Sequence, residues 1–181
     1  RLDKKMCGPS MILAEIGTHS YHLLRYVTNL EAKEISAEVN SLSSEISVDD
    51  NAFLILRMNN KARASIWVSS AATGGENGLK IRVYGTKGAV EWFQDEPNHL
   101  KFTELNKSAK IITRASNDVS DFSLKSSRLA AGHPEGFFEA FSNIYTEFAD
   151  CILSNNKTNH TFQNIEDGVK GIKFIFAAKK S

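Results

Sequence analysis

Cysteine is scarce in this chain: Cys7 and Cys151 are the only two in 181 residues, far apart and in no Cys-x-x-Cys spacing. Two such residues make neither a disulfide framework nor, alone, a zinc site, so a reducing cytoplasm is the expected setting. Long apolar runs are missing as well. None approaches the roughly 18 residues of a membrane-spanning helix, and the opening residues do not read as a signal peptide. Excess charge is also lacking. With 22 Lys and Arg against 21 Asp and Glu, the net charge is +1, and no Lys or Arg run exceeds a pair. That leaves no broad positive field to attract nucleic acid. Short glycosylation sequons at Asn106, Asn156 and Asn159 do not overturn the cytoplasmic expectation.

Two motifs are conspicuously absent. No Gly-x-Gly-x-x-Gly joins a strand to a helix, so no dinucleotide cradle is expected within the chain. The one glycine-rich stretch, Thr73-Gly74-Gly75-Glu76-Asn77-Gly78, leads into an alternating strand over Leu79–Tyr84 and has the wrong spacing. The His-Glu-x-x-His signature of a metalloprotease helix is missing too.

What is present is an ordinary globular composition, 41% apolar and 24% charged, at a length near that of one domain. The chain opens Arg1-Leu2-Asp3 without an initiator Met and reaches a packed-looking helix almost at once. This predicts a piece of a longer polypeptide with something N-terminal to it.

That helix carries the main chemical signal. Ser10 is the predicted N-cap, and the helix is predicted from about Met11 to Thr28. Glu15, His19 and His22 fall at i, i+4 and i+7, on one face, with Tyr26 continuing the stripe. Imidazole moves protons near neutral pH, and a carboxylate one turn away can fix its tautomer. Three readings stand side by side: a partly buried helix with hydrogen-bonded histidines, a general acid/base site, and a metal site using Glu15, His19 and His22. Gly17 inside the helix costs about 1 kcal/mol relative to Ala. Its place between Glu15 and His19 favours close approach of a ligand or backbone over simple packing.

From Lys33 the period changes to two. Ile35, Ala37 and Val39 alternate with polar residues, and strands over Ala52–Met58 and Ala62–Ala72 flank a short polar turn at Asn59-Asn60-Lys61. Gly85-Thr86-Lys87-Gly88 predicts a second hairpin to Ala89–Phe93, followed by strands at Leu100–Leu105 and Lys110–Arg114. Residues 115–132 predict a mobile or substrate-facing loop. Phe137, Phe138, Phe141, Ile144, Tyr145, Phe148 and Ile152 predict a helix burying an aromatic-rich face. A last helix, from about Gln163 to Ala178 with Thr161 as N-cap, carries Ile165, Val169, Ile172 and Phe176 as its stripe. The resulting fold class is α+β, a largely antiparallel open sheet covered by helices on one face. Phe53 to Leu56 and Ile66 to Val68 are apolar on both faces, so a partner domain or subunit is expected on the other side.

Glu15-Ile16-Gly17-Thr18-His19 followed by His22 resembles the Asp-x-Gly-x-His-x-x-Asp helix motif of the Gfo/Idh/MocA oxidoreductases, relatives of glucose–fructose oxidoreductase and inositol dehydrogenase. Asn77-Gly78-Leu79 with Val83 to Trp92, then Gly132-His133-Pro134-Glu135-Gly136 and Glu166-Asp167-Gly168, keep that family's motif order. The resemblance implies that residues 1–181 form the C-terminal substrate-binding and oligomerisation domain of a two-domain enzyme. Its partners would be a sugar or polyol substrate, a missing N-terminal Rossmann domain holding NAD or NADP, and further copies joined through the sheet face. No Glu-Lys-Pro, the family's lysine motif, occurs in the chain, and the chain alone is expected to bind no cofactor and to be inactive.

By the same resemblance, His19 is the general base and Glu15 a catalytic partner that orients it or binds substrate. His22, Asn77 and His133 are substrate contacts, and no residue is a metal ligand. Glu15 and His22 both stand where the family has Asp. The alternative is a non-catalytic interaction or assembly module that retains the fold, with a metal hydrolase as a more distant third.

Overall fold

The computed structural model describes residues 3, 5–44, 47–154 and 160–181. The sequons at Asn156 and Asn159 lie outside the described residues. The chain forms two compact units, one of Arg1–Glu76 with Asn164–Ser181 and the other of Asn77–Gln163.

In the first unit Ser10 caps the opening helix as its sequence predicts, its Oγ accepting the Leu13 N–H at 3.2 Å. Asp49, distant in sequence, adds a second cap. Its carboxylate accepts the N–H groups of Met11 at 3.2 Å and Ile12 at 3.3 Å, and also the Ser10 hydroxyl. These bonds satisfy amides that a helix start otherwise leaves open. The helix then passes through a π turn, Leu13–Gly17, before α1, Thr18–Thr28. The Thr18 N–H reaches back to the Leu13 carbonyl, and its hydroxyl donates to the Ala14 carbonyl at 3.0 Å. Such side-chain back-bonding bends helices and widens a turn locally. Asn29, in the left-handed region at φ 54°, ends the helix.

Three antiparallel strands follow in sequence order: β1 Ala32–Asn40, β2 Asn51–Met58 and β3 Arg63–Ser69. Alternation divides β2 cleanly. Ala52, Leu54, Leu56 and Met58 are buried, whereas Phe53 and Ile55 face outward. The inner face is covered by the first helix and by α4, Ile165–Lys180, with Ile12, Leu13, Tyr21, Phe174, Ile175 and Ala178 closing the core. Tyr21 and Phe174 stack with centroids 4.3 Å apart. Gly17 is buried in this seam. A Cβ there would meet Leu13 at 3.1 Å and Phe174 at 3.6 Å. It is a packing glycine, contrary to the expectation of ligand approach.

The stripe expected for α4 is wrong by a rotation. Ile165, Val169, Ile172 and Phe176 are exposed, and the buried residues are Gly171, Phe174, Ile175 and Ala178. Both sets have helical spacing, and packing against α1 selects the one containing glycine, which allows closer approach. The N-cap is Asn164, not Thr161: its side chain accepts from Glu166 N–H at 2.9 Å and Asp167 N–H at 3.1 Å.

The second unit holds a four-stranded antiparallel meander, β4 Lys80–Tyr84, β5 Gly88–Phe93, β6 His99–Glu104 and β7 Lys110–Thr113. Gly88 is required because a Cβ would strike the Thr103 carbonyl of β6. The expected loop over 115–132 contains a five-residue helix, α2, Asp121–Lys125, capped by Ser120. After it comes α3, Phe137–Leu153. Its aromatic face is not buried: Phe138 is 82% and Tyr145 67% exposed. Spacing defines a face but does not say whether anything covers it. The α+β, antiparallel architecture matches expectation, with its strands divided between sheets of three and four.

Candidate functional site

The π turn and α1 present the residues of interest. Glu15 lies within the π turn and His19 one residue into α1, and both are exposed. A π turn holds more than the usual 3.6 residues, which brings residues four apart closer to direct alignment along the axis. Glu15 and His19 therefore share the solvent-facing side of the helix, with Tyr26 also exposed further along.

His22 departs from that face. It is half-buried, its Nε2 lies 3.2 Å from the Asp167 carbonyl oxygen, and its ring packs where a Cβ on Gly171 would stand. It faces α4, away from Glu15 and His19. Among the described residues no three His, Cys, Asp or Glu side chains are placed to share a metal ion.

Below His22 a charged seam fixes α1 to α4. Arg25 donates to Glu31 from Nε at 2.9 Å and Nη2 at 2.8 Å, and to Asp167 at 3.1 Å. Lys170 donates to Glu31 at 2.8 Å. The Arg25 guanidinium holds the Glu31 carboxyl below its usual range. Burial acts to raise the Asp167 pKa, but bonds from the Asn164 N–H and Arg25 together overcome it and leave the group lowered. The seam fixes the helix that bears His19. Its partners could not be paired from sequence, although Glu166-Asp167-Gly168 was visible as a motif.

Asn77 and His133 belong to the second unit. Asn77 is exposed at the entry to β4, and its Nδ2 donates to Gln94. His133 is exposed on a loop whose backbone is unusually well tied. Arg114, at the end of β7, donates from Nε to Asn98 Oδ1 at 3.0 Å and from Nη1 to the Leu129 carbonyl at 3.0 Å. Its Nη2 reaches the Ala130 carbonyl at 3.3 Å and the His133 carbonyl at 2.5 Å. Glu135 pairs with Arg114 Nη1 at 3.1 Å and accepts the backbone N–H groups of Arg128 and Leu129. Sequence reasoning placed Glu135 in a motif but missed Arg114 and Asn98, which carry no local signal.

The glycine-rich stretch is a turn. Gly74, Glu76 and Gly78 all have positive φ, and β4 follows rather than a helix. These residues do not form the strand–loop–helix cradle that a dinucleotide requires. A depression of about 370 Å³ lined by Cys7, Pro9, Asn40, Asp49 and Lys179 includes none of Glu15, His19 and His22. Its Asp49 carboxylate already serves the helix cap.

The GFO/IDH/MocA C-terminal domain family model matches residues 1–91. An uncharacterized oxidoreductase, YfiI, of Bacillus subtilis (strain 168) is 30% identical over 183 residues, covering 97% of this chain and 47% of the relative. An oxidoreductase structure from Sinorhizobium meliloti is 38% identical with a TM-score of 0.90, over 94% of this chain and 50% of that one. An inositol dehydrogenase homolog from Azotobacter vinelandii, complexed with NAD+, is 29% identical with a TM-score of 0.92, over 99% of this chain and 48% of that one. A structure described as that homolog with NADH and myo-inositol is 29% identical with a TM-score of 0.89, over 96% and 48% of the two chains. The chain thus spans about half the length of the relatives it matches.

Proposed function

The chain belongs to the GFO/IDH/MocA C-terminal domain family, and from that premise we propose that it is the substrate-binding domain of an NAD(P)-dependent oxidoreductase acting on a sugar or polyol hydroxyl. The observation that carries the reading is the placement of exposed Glu15 and His19 on one side of the helix, inside the region that the family model matches. An alcohol becomes a carbonyl only if its hydroxyl proton leaves, and an exposed imidazole is suited to accept it near neutral pH. His19 takes that role. Glu15, one turn back, orients the imidazole or binds a neighbouring hydroxyl. The nicotinamide, when bound, supplies the hydride acceptor.

The dinucleotide, NAD or NADP, is assigned to the part of the relatives that this chain does not cover, so the chain alone is expected to be inactive. His133 and Asn77 contribute polar contacts to substrate. His22 acts through the α1–α4 packing that holds the His19 face, and a contact from its ring to a polar group of substrate belongs to the same proposal. Like the A. vinelandii homolog described with myo-inositol, this domain is assigned a polyhydroxylated substrate.

Copies are proposed to associate through the outer face of the three-stranded sheet. Phe53, Ile55 and Trp67 are 51%, 62% and 60% exposed there, and Phe53 and Trp67 stack with centroids 5.7 Å apart. This apolar face also favours the second reading, a non-catalytic assembly module.

Turnover of the full-length protein with a panel of sugars and polyols separates the two. His19→Ala is expected to lower kcat by about 10² to 10⁴. A wild-type protein that oxidises no member of the panel, or a variant with wild-type turnover, would favour the assembly module.

A further inference from the structure

We infer that Arg114 is a positioning residue for substrate recognition, holding the 128–136 loop in the one conformation that presents the His133 imidazole. The inference rests on the proposed role of His133 as a substrate contact and deepens it.

A guanidinium has five N–H donors in a fixed planar fork. In Arg114 these face five acceptors: Asn98 Oδ1, the carbonyls of Leu129, Ala130 and His133, and Glu135 Oε1. Three of the five are backbone carbonyls within a single loop, and one belongs to His133 itself. The same loop is held from its other side. Glu135 accepts two of the loop's amides, and its own N–H and carbonyl bond Asn98 at 3.0 and 2.8 Å. Arg128 extends the ties to α3, donating to Asn143 at 2.7 Å and Thr146 at 2.6 Å.

The central pair is well shielded, with side-chain exposures of 14% for Arg114 and 7% for Glu135. In that environment hydrogen bonds strengthen, and a fully satisfied network specifies one geometry. His133 differs from these neighbours: its carbonyl is engaged while its side chain remains exposed. The network thus fixes where the imidazole starts from and leaves the ring free to meet a ligand. Preorganisation of this kind lowers the ordering cost of binding without touching the ligand.

The proposal predicts a change in KM rather than kcat, and a change that passes through His133. In the full-length enzyme, assayed with the sugar or polyol of highest kcat/KM in the panel, Arg114→Gln should raise the substrate KM about tenfold or more. The change in kcat should stay below about twofold. Glu135→Gln keeps a carbonyl acceptor for the Arg128 and Leu129 amides and should raise KM by no more than about threefold. His133→Ala should raise KM in the wild type and add nothing in the Arg114→Gln background. Should Arg114→Gln fail to fold, the same cycle is run with Glu135→Gln and His133→Ala, and the prediction is again less than the product of the single effects.

An unchanged KM in Arg114→Gln, or a His133→Ala effect that multiplies in full, overturns the positioning role and leaves the proposed function intact. A His133→Ala variant with wild-type KM removes His133 as a contact, and the inference with it. An enzyme active on no sugar or polyol overturns the proposed function itself.

Discussion

The two units of this chain are stabilised in different ways. The first closes a core of its own, in which Ile12, Leu54 and Leu56 are at most 1% exposed and Phe174 2%. In the second, none of the described residues is fully buried. Its order comes from a meander of backbone hydrogen bonds and from the Arg114, Glu135 and Asn98 network. Burial is additive and non-directional, whereas a polar network needs every member in place. The first unit should therefore respond to lost volume, and the second to lost partners.

The largest expected effect breaks the first unit. Phe174→Ala removes a ring that stacks on Tyr21 and packs beside Gly17. It should cost about 3–5 kcal/mol of unfolding free energy by urea titration. A cost near zero would mean that the seam between α1 and α4 contributes little.

Asp49→Ala should cost about 1 kcal/mol in the same titration, the usual scale of a lost N-cap. Its carboxylate serves the amides of Met11 and Ile12 and the Ser10 hydroxyl, so Asp49→Asn should recover part of the loss. If both variants unfold like wild type, Ser10 alone suffices as the cap.

A smaller effect is expected from pH. The carboxyls of Glu31 and Asp167 are lowered in the folded chain. Their contribution is full above the unfolded-state values, about 4. It should fade as pH falls from there through the lower folded values. Thermal melting between pH 6 and 3 should therefore show less acid destabilisation in Asp167→Asn than in wild type. Parallel curves for the two proteins would discount Asp167 as a source of acid lability.

The smallest effect belongs to the second unit. Phe138→Ser, at a residue 82% exposed, should change the stability of this chain by less than about 0.5 kcal/mol. A loss as large as that of Phe174→Ala would mean that the α3 face is covered in solution.

The contrast also explains which parts of the fold were legible in the sequence. Strand alternation in β1 and β2, the Ser10 cap and the Gly85 to Gly88 hairpin are local, and each was read at close to its observed bounds. The α4 stripe was misread because Gly171, Phe174, Ile175 and Ala178 satisfy helical spacing as well as Ile165, Val169, Ile172 and Phe176 do. α2 was missed because five residues are too few to establish a period.

At the candidate site the division is the same. Spacing alone put Glu15, His19 and His22 on one helix, since 3.6 residues per turn is a property of the backbone. Tertiary structure decided that His22 turns to Asp167 and Gly171 while Glu15 and His19 stay exposed, because α4 covers only one side of that helix. It also decided that Arg114 and Glu135 meet across the loop they fix. Periodicity reports which residues share a face. Only packing between segments distant in sequence reports what that face meets.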